Sequence, residues 1–381
     1  MYIEEFALER YQSLYENEVD INLTESGVHP YTMRELLTQD ELEEVLDVRL
    51  GYGWTNGNPA LREAIAQYYP GATADNVLVT NGSAESNFLH TWTRLEPGDE
   101  VVVMVPNYLQ IWGIARSMDC QVKSFSLDES QDWAPNLDEL RSKVTDATRL
   151  IVVCNPNNPT GAVMARDDME AIAEIAAEHD ADIYSDEVYK GVELEGPEGP
   201  SFRDVTARAT VASGLSKALA HPGLRIGWLV GSEEFIAQAW RRNDYTTITT
   251  SPLSEAIATI ILQPERREQI LERNRTLLRQ NLGVLQDWIA GQGGRFSLIP
   301  PKAGGMTFLG YDLEHEGQQV NSTRLSEWLR VNESLLVVAG DVYGLDGHLR
   351  LGIGEEPETF KAGLERLARG VERADRGELV G

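Results

Sequence analysis

Between about residue 60 and residue 230 the chain alternates short apolar runs with helical segments, and this pattern constrains the fold most. The segment PALREAIAQYY has helical spacing, and DNVLVTNG reads as a strand ending in a turn. A helix is expected over 84–95. The turn EPGDE then leads into the strand VVVMVPN. LDELRSKV and DDMEAIAEIAAEH are helical, LIVVCNP and ADIYSDEV are strand-like, and TVASGLS and LRIGWLVG add two more apolar runs. Strands that are apolar throughout need burial on both faces, so the expected fold is α/β, a mostly parallel central sheet covered by helices. Ligands of such sheets bind beyond the carboxyl ends of the strands. The polar clusters NGSAES, PNYLQ, NPNNPTG, SDEVY and SGLSK stand at those ends, so these loops point at one crevice.

This region predicts a large domain over residues 46–270. After Pro252 helical patterns dominate, and PERREQILERNRTLLRQNLGVLQDWIA reads as one long amphipathic helix or two. The last segment looks α+β, with strand-like MTFLGYDL and HLRLGIG and a closing helix PETFKAGLERLARGVERA. Residues 1–45 and 271–381 are therefore expected to form a smaller α+β domain from both chain ends. No internal repeat is visible.

Composition narrows the function. A net charge of -28 opposes binding to nucleic acid, whose phosphates require a basic surface. The acidic, lysine-poor surface fits a high-salt habitat, a base-composition bias towards arginine or plain solvation. No apolar run approaches the roughly 20 residues that span a bilayer, and the acidic amphipathic start MYIEEFALERYQ differs from a signal peptide. A cytoplasmic protein without membrane contact is expected. Cys120 and Cys154 are too few for a disulfide framework, and Cys154 in LIVVCNP reads as a small buried thiol. The Cys and His residues show no metal-ligand spacing, so no metal is expected.

Lys217 stands in SGLSKALAHPGLRIG (213–227), after an apolar strand and among Ser, Gly and Leu. A lysine near low-dielectric walls or a second cation loses its proton more readily and becomes a nucleophile towards an aldehyde. Arg225, eight residues on, supplies a cation whose planar fork suits a phosphate. The turn VTNGSAESNFL presents backbone amides at a helix start, which suits a dianion or serves only as a cap. Arg350 in HLRLGIG interrupts an apolar strand, so it meets either a substrate carboxylate or a structural ion-pair partner.

These motifs together resemble the fold-type I, class I/II aminotransferase family of pyridoxal-phosphate enzymes over nearly the whole chain. The resemblance implies that Lys217 carries the cofactor as a Schiff base and moves the substrate's α-proton, with Arg225 on the cofactor phosphate. It implies Asn158 of NPNNPTG and Tyr189 of SDEVY at the phenolic oxygen, and Asp186 at the pyridine nitrogen. Tyr108 of PNY would stack on the ring, and the amides of Ser83 and Ala84 would hold the phosphate. Tyr52, in YGWTNGNPALREA (52–64), matches a tyrosine that reaches across a homodimer interface to the partner's phosphate. Arg350 matches the arginine for the substrate α-carboxylate, with Asn158 and Gly27 also facing substrate.

Some positions depart from the family. Where a serine often precedes the lysine by three residues this chain has Gly214, flanked by Ser213 and Ser216, and Ser216 is the expected substitute on the phosphate. Glu85 beside the phosphate loop is expected to turn away along the helix. The N-terminal TESGVHPYT replaces the family's Gly-x-Pro; Gly27 takes the glycine's place, and His29 is either a pocket or a turn residue. SGVHPYT is similar to the matching stretch of a family relative, capreomycidine synthase, which cyclises its amino acid. The expected function is transfer of an amino group between an amino acid and a 2-oxo acid. The alternative is a pyridoxal-phosphate lyase or cyclase of secondary metabolism. A third class, a non-catalytic regulator that binds DNA, is opposed by the charge and by the lack of a basic segment.

Overall fold

The structure, a computed structural model, describes residues 3–315 and 317–378. An eight-stranded sheet runs in the spatial order Val77–Thr80, Gly227–Val230, Ala209–Gly214, Asp182–Asp186, Thr148–Cys154, Glu100–Val105, Gln121–Asp128, Ala134–Pro135. The central pairs are parallel, and Gly227–Val230 runs antiparallel to both neighbours. Val77–Thr80, Ala209–Gly214 and Gly227–Val230 are buried along their whole length, as two-sided helical cover requires. Helices Ser83–Arg94, Gln110–Ser117, Arg166–Glu178 and Glu233–Asn243 provide that cover. No helix among the described residues is long and apolar enough to cross a membrane.

A second, antiparallel sheet has the order Phe296–Leu298, Met306–Tyr311, His348–Gly352, Val338–Ala339. Helices Ser322–Glu333 and Pro357–Arg373 pack beside it. The N-terminal residues Ile21 and Asn22 pair in parallel with Leu335 and Leu336, so both chain ends meet in this unit. The long amphipathic segment is a single helix, Pro264–Ala290. It runs through the 270/271 division drawn from sequence and joins the two units mechanically.

Candidate active site

A cavity of about 280 Å³ opens at the carboxyl ends of the parallel strands, where the second unit and the N-terminal helix Ala7–Tyr15 close over them. Ser83, Ala84, Tyr108, Asn158, Asp186, Tyr189, Ser216, Lys217, Arg225 and Arg350, each singled out from sequence, line it.

The phosphate end is built by close backbone approach. Gly82 precedes the helix Ser83–Arg94 with φ +83° and ψ 161°. The amides of Ser83 and Ala84, first in that helix, have no carbonyl four residues back inside it and are available to an anion. Arg225 lies over Gly82 and donates from Nη1 to Pro222 O at 2.9 Å and to Ser216 Oγ at 3.3 Å. The two candidate serines separate here. Ser213 Oγ donates to Glu187 O at 3.2 Å in the buried interior, whereas Ser216 faces the cavity beside Arg225. A side chain at Gly214 is excluded, since its Cβ would lie 2.9 Å from Ile226 O. Glu85 turns away as expected: it accepts from the Asn81 amide at 2.6 Å and from Thr247 Oγ1 at 2.8 Å.

At the other end Asp186 terminates its strand, largely buried with its carboxyl facing the cavity. Burial lifts its carboxyl to about 6, against the opposing pull of the Val188 amide, Lys217 and Asn87. A buried acid at this pH boundary suits a protonated ring nitrogen as partner. Asn158 Oδ1 accepts from Arg350 Nη1 at 3.0 Å and from Tyr343 OH at 3.4 Å, which leaves Nδ2 to donate into the cavity. Tyr189 OH shares a hydrogen bond with Ser26 Oγ at 2.9 Å. Tyr108 OH donates to Glu9 Oε1 at 2.7 Å, which holds the ring at the cavity wall; burial first, then Glu9, pushes its hydroxyl well up. Cys154 is buried at the end of its strand, and burial raises its thiol well above the usual range.

Arg350 is 2% exposed. Nη2 donates to Thr24 O, but Nε has no partner, and no carboxylate forms an ion pair with it among the described residues. The structural ion pair weighed from sequence is therefore not found. A buried guanidinium that lines a cavity and has an unpartnered Nε is suited to a ligand carboxylate.

Two of the expected residues lie elsewhere. Tyr52 is 89% exposed and outside the cavity. Gly27 lines a smaller adjoining cavity and packs so tightly that a Cβ on Gly354 would lie 2.0 Å from its carbonyl. His29 also lines that smaller cavity, near Glu355 and Glu356.

Sequence reading missed Glu25, which forms an ion pair with Lys217 at 2.6 Å. Burial would raise its carboxyl, but Lys217, the Gly27 amide and Arg350 outweigh that and hold it at about 2. Glu9 and Gln12 on the N-terminal helix, and Glu16 just after it, were missed as well. Their one signal was an amphipathic start whose polar face had no assigned neighbour.

An anion cradle, a lysine nucleophile, a buried acid and an open guanidinium in one cavity define an enzyme for a phosphorylated aldehyde cofactor and an amino acid. Residues 29–367 match the family model for aminotransferase class I and II, and the chain belongs to that family. It is a pyridoxal 5'-phosphate enzyme of fold type I. Over its whole length it is 29% identical to capreomycidine synthase of Streptomyces vinaceus, covering 95% of that protein. A PLP-dependent aminotransferase from Streptococcus suis superposes with a TM-score of 0.91 at 31% identity, covering 98% of this chain and 99% of that one. A PLP-dependent cyclase, OrfR, superposes at 0.87 with 26% identity, covering 98% of both chains.

Proposed function

We propose that this enzyme is an aminotransferase that moves an amino group between an amino acid and a 2-oxo acid. The observation that carries the reading is the pairing, in one cavity, of Lys217 with the buried Arg350, whose Nε has no partner and which meets no carboxylate among the described residues. Arg350 complements the carboxylate that every α-amino acid presents, and Lys217 supplies the amine and base for the chemistry at its α-carbon.

The donor set fits pyridoxal phosphate. Ser83 and Ala84 amides, Ser216 and Arg225 would hold the phosphate; Asp186 would face the ring nitrogen, Asn158 and Tyr189 the phenolic oxygen, and Tyr108 the ring. Bound there, the cofactor supplies an electron sink that acidifies the substrate's α-carbon. Arg350 binds the α-carboxylate and fixes the α-carbon in position. Lys217 Nζ takes the proton from the substrate's α-carbon. The N-terminal helix, through Leu8 and Gln12, narrows access of water.

A homodimer belongs to this proposal. Leu46, Leu50, Tyr52 and Trp54 are exposed, as are Tyr245 and Ile248, and Thr249 Oγ1 joins the two segments by donating to Trp54 O at 3.1 Å. Exposed apolar patches of this kind mark interfaces. Thr247, bonded to Glu85, brings the patch up to the phosphate end, so a partner's Tyr52 has a short route to it.

A second reading, a lyase or cyclase, is favoured by Glu25. A carboxylate 2.6 Å from Lys217 gives the site another proton carrier at the reacting end. Mixing holoenzyme with an amino acid and no 2-oxo acid separates the two readings. Transamination releases a 2-oxo acid and leaves the cofactor as its amine, seen by absorption and chromatography. A cyclised or eliminated product, with the cofactor recovered as aldehyde, selects the second reading. Lys217→Ala should lose covalent cofactor attachment in either case.

A further inference from the structure

Charge is distributed unevenly around the cavity. Its cationic side chains are Lys217, Arg225 and Arg350. Each is already engaged in the proposed chemistry, by the cofactor's aldehyde, its phosphate and the substrate's α-carboxylate. None is left for a second carboxylate on the substrate. The acidic side chains, besides Asp186, are Glu9, Glu16 and Glu25. Glu9 is held by Tyr108, and Glu16 lies beyond the last turn of the N-terminal helix.

Glu25 differs from both. Its Oε1 accepts from Lys217 Nζ at 2.6 Å and from the Gly27 amide at 2.8 Å, while Oε2 takes no hydrogen bond among the described residues. The side chain faces both the main cavity and the adjoining one of about 250 Å³, whose wall carries a second carboxylate, Glu355. Arg350 donates to the carbonyl of Thr24, the residue before Glu25, so the carboxylate anchor stands beside the segment that carries Glu25.

We propose that Glu25 binds a cationic group on the side chain of the substrate, an ammonium or guanidinium, so that the enzyme selects diamino or guanidino amino acids over dicarboxylic and neutral ones. The inference rests on the reading that the cavity takes pyridoxal phosphate and an amino acid. Lys217 is committed to the cofactor chemistry, so it is not the cation that Glu25 keeps throughout the reaction. A half-buried carboxylate deprived of its cation is costly, and a substrate cation restores the pair. The open Oε2 provides the second contact of a forked guanidinium. A second carboxylate in the same place would meet Glu25 and Glu355 as like charges.

The test is binding to the cofactor-loaded enzyme at one fixed salt concentration, followed by calorimetry and by the shift of the visible band. L-arginine and L-ornithine are compared with L-citrulline, the neutral analogue of arginine, and with L-glutamate. The cationic ligands should bind at least ten-fold tighter, on the order of the coupling measured for close charge pairs. Glu25→Gln, which keeps an acceptor for the Gly27 amide, should remove most of that preference, read as the ratio of arginine to citrulline affinity within each protein. Citrulline or glutamate binding as tightly as arginine to the wild type would overturn the assignment, as would a preference that survives Glu25→Gln. The wild-type comparison decides even if the variant is unstable. Failure of the underlying reading looks different: no visible band with added cofactor, or no amino acid that perturbs it.

Discussion

The guanidinium of Arg225 closes over Gly82 so tightly that a Cβ there would lie 2.2 Å from Nη2. The backbone of Gly82, at φ +83° and ψ 161°, is in a region confined essentially to glycine. Gly82→Ala therefore both strains the helix start, by about 1–3 kcal/mol, and displaces Arg225 from the two open amides. The expected outcome is a folded protein whose affinity for pyridoxal phosphate is lower by roughly ten-fold or more, read by absorbance titration. Unchanged affinity would remove this corner from the phosphate site.

Ser213 and Ser216 are three residues apart and are expected to behave differently. Ser216 stands beside Arg225, while Ser213 is spent on the carbonyl of Glu187. Ser216→Ala should weaken cofactor binding by about 1.5–3 kcal/mol, the size of one hydrogen bond to a charged group. Ser213→Ala should lower the melting temperature slightly and leave cofactor affinity alone. A reversed pattern would reassign the phosphate contact.

Asp186 makes stability depend on pH in a definite direction. Its carboxyl titrates near 6 in the fold, because of burial, and at 3.8 in its ordinary state. Between those values the folded chain holds a proton that the unfolded chain has lost. The stabilisation is thus complete below 3.8 and lost as pH rises through about 6, an effect of about 3 kcal/mol at 1.36 kcal/mol per pH unit. With the cofactor removed, the stability of Asp186→Asn relative to wild type should rise by about that amount from pH 4 to 7 in urea melts. Bound pyridoxal phosphate, whose ring nitrogen partners the ionised form, should shrink the difference. A flat profile would contradict the dry environment assigned to Asp186.

Much of this site was legible because its residues stand at or just after the ends of mostly apolar strands. Asp186, Asn158, Tyr108 and Lys217 each stand at or just after such an end, so strand ends located them before any contact was known. The penultimate strand Gln121–Asp128 went unread for the opposite reason: it is polar at alternate positions and only partly buried. Glu25 was illegible in a different way. It belongs to a short extended segment with no periodicity, and its meaning depends on Lys217, 192 positions away in sequence. The choice between Ser213 and Ser216 likewise needed the fold, since only packing shows which hydroxyl is already engaged.

Tyr52 makes no contribution to the cavity of its own chain, yet its exposed ring lies on the apolar patch that reaches the phosphate end. If two chains exchange this tyrosine, each site needs Lys217 from one subunit and Tyr52 from the other. Lys217→Ala should be inactive and Tyr52→Ala should be impaired in cofactor retention. Unfolded together and refolded, the two variants should form mixed dimers in which one site carries both native residues. Random pairing gives about a quarter of all sites intact, so the mixture should recover activity that neither variant has alone. Gel filtration should show a mass near twice the 42.4 kDa of one chain. Recovery no greater than the sum of the separate variants would place Tyr52 outside the partner's site, and a single-chain mass would dismiss the dimer itself.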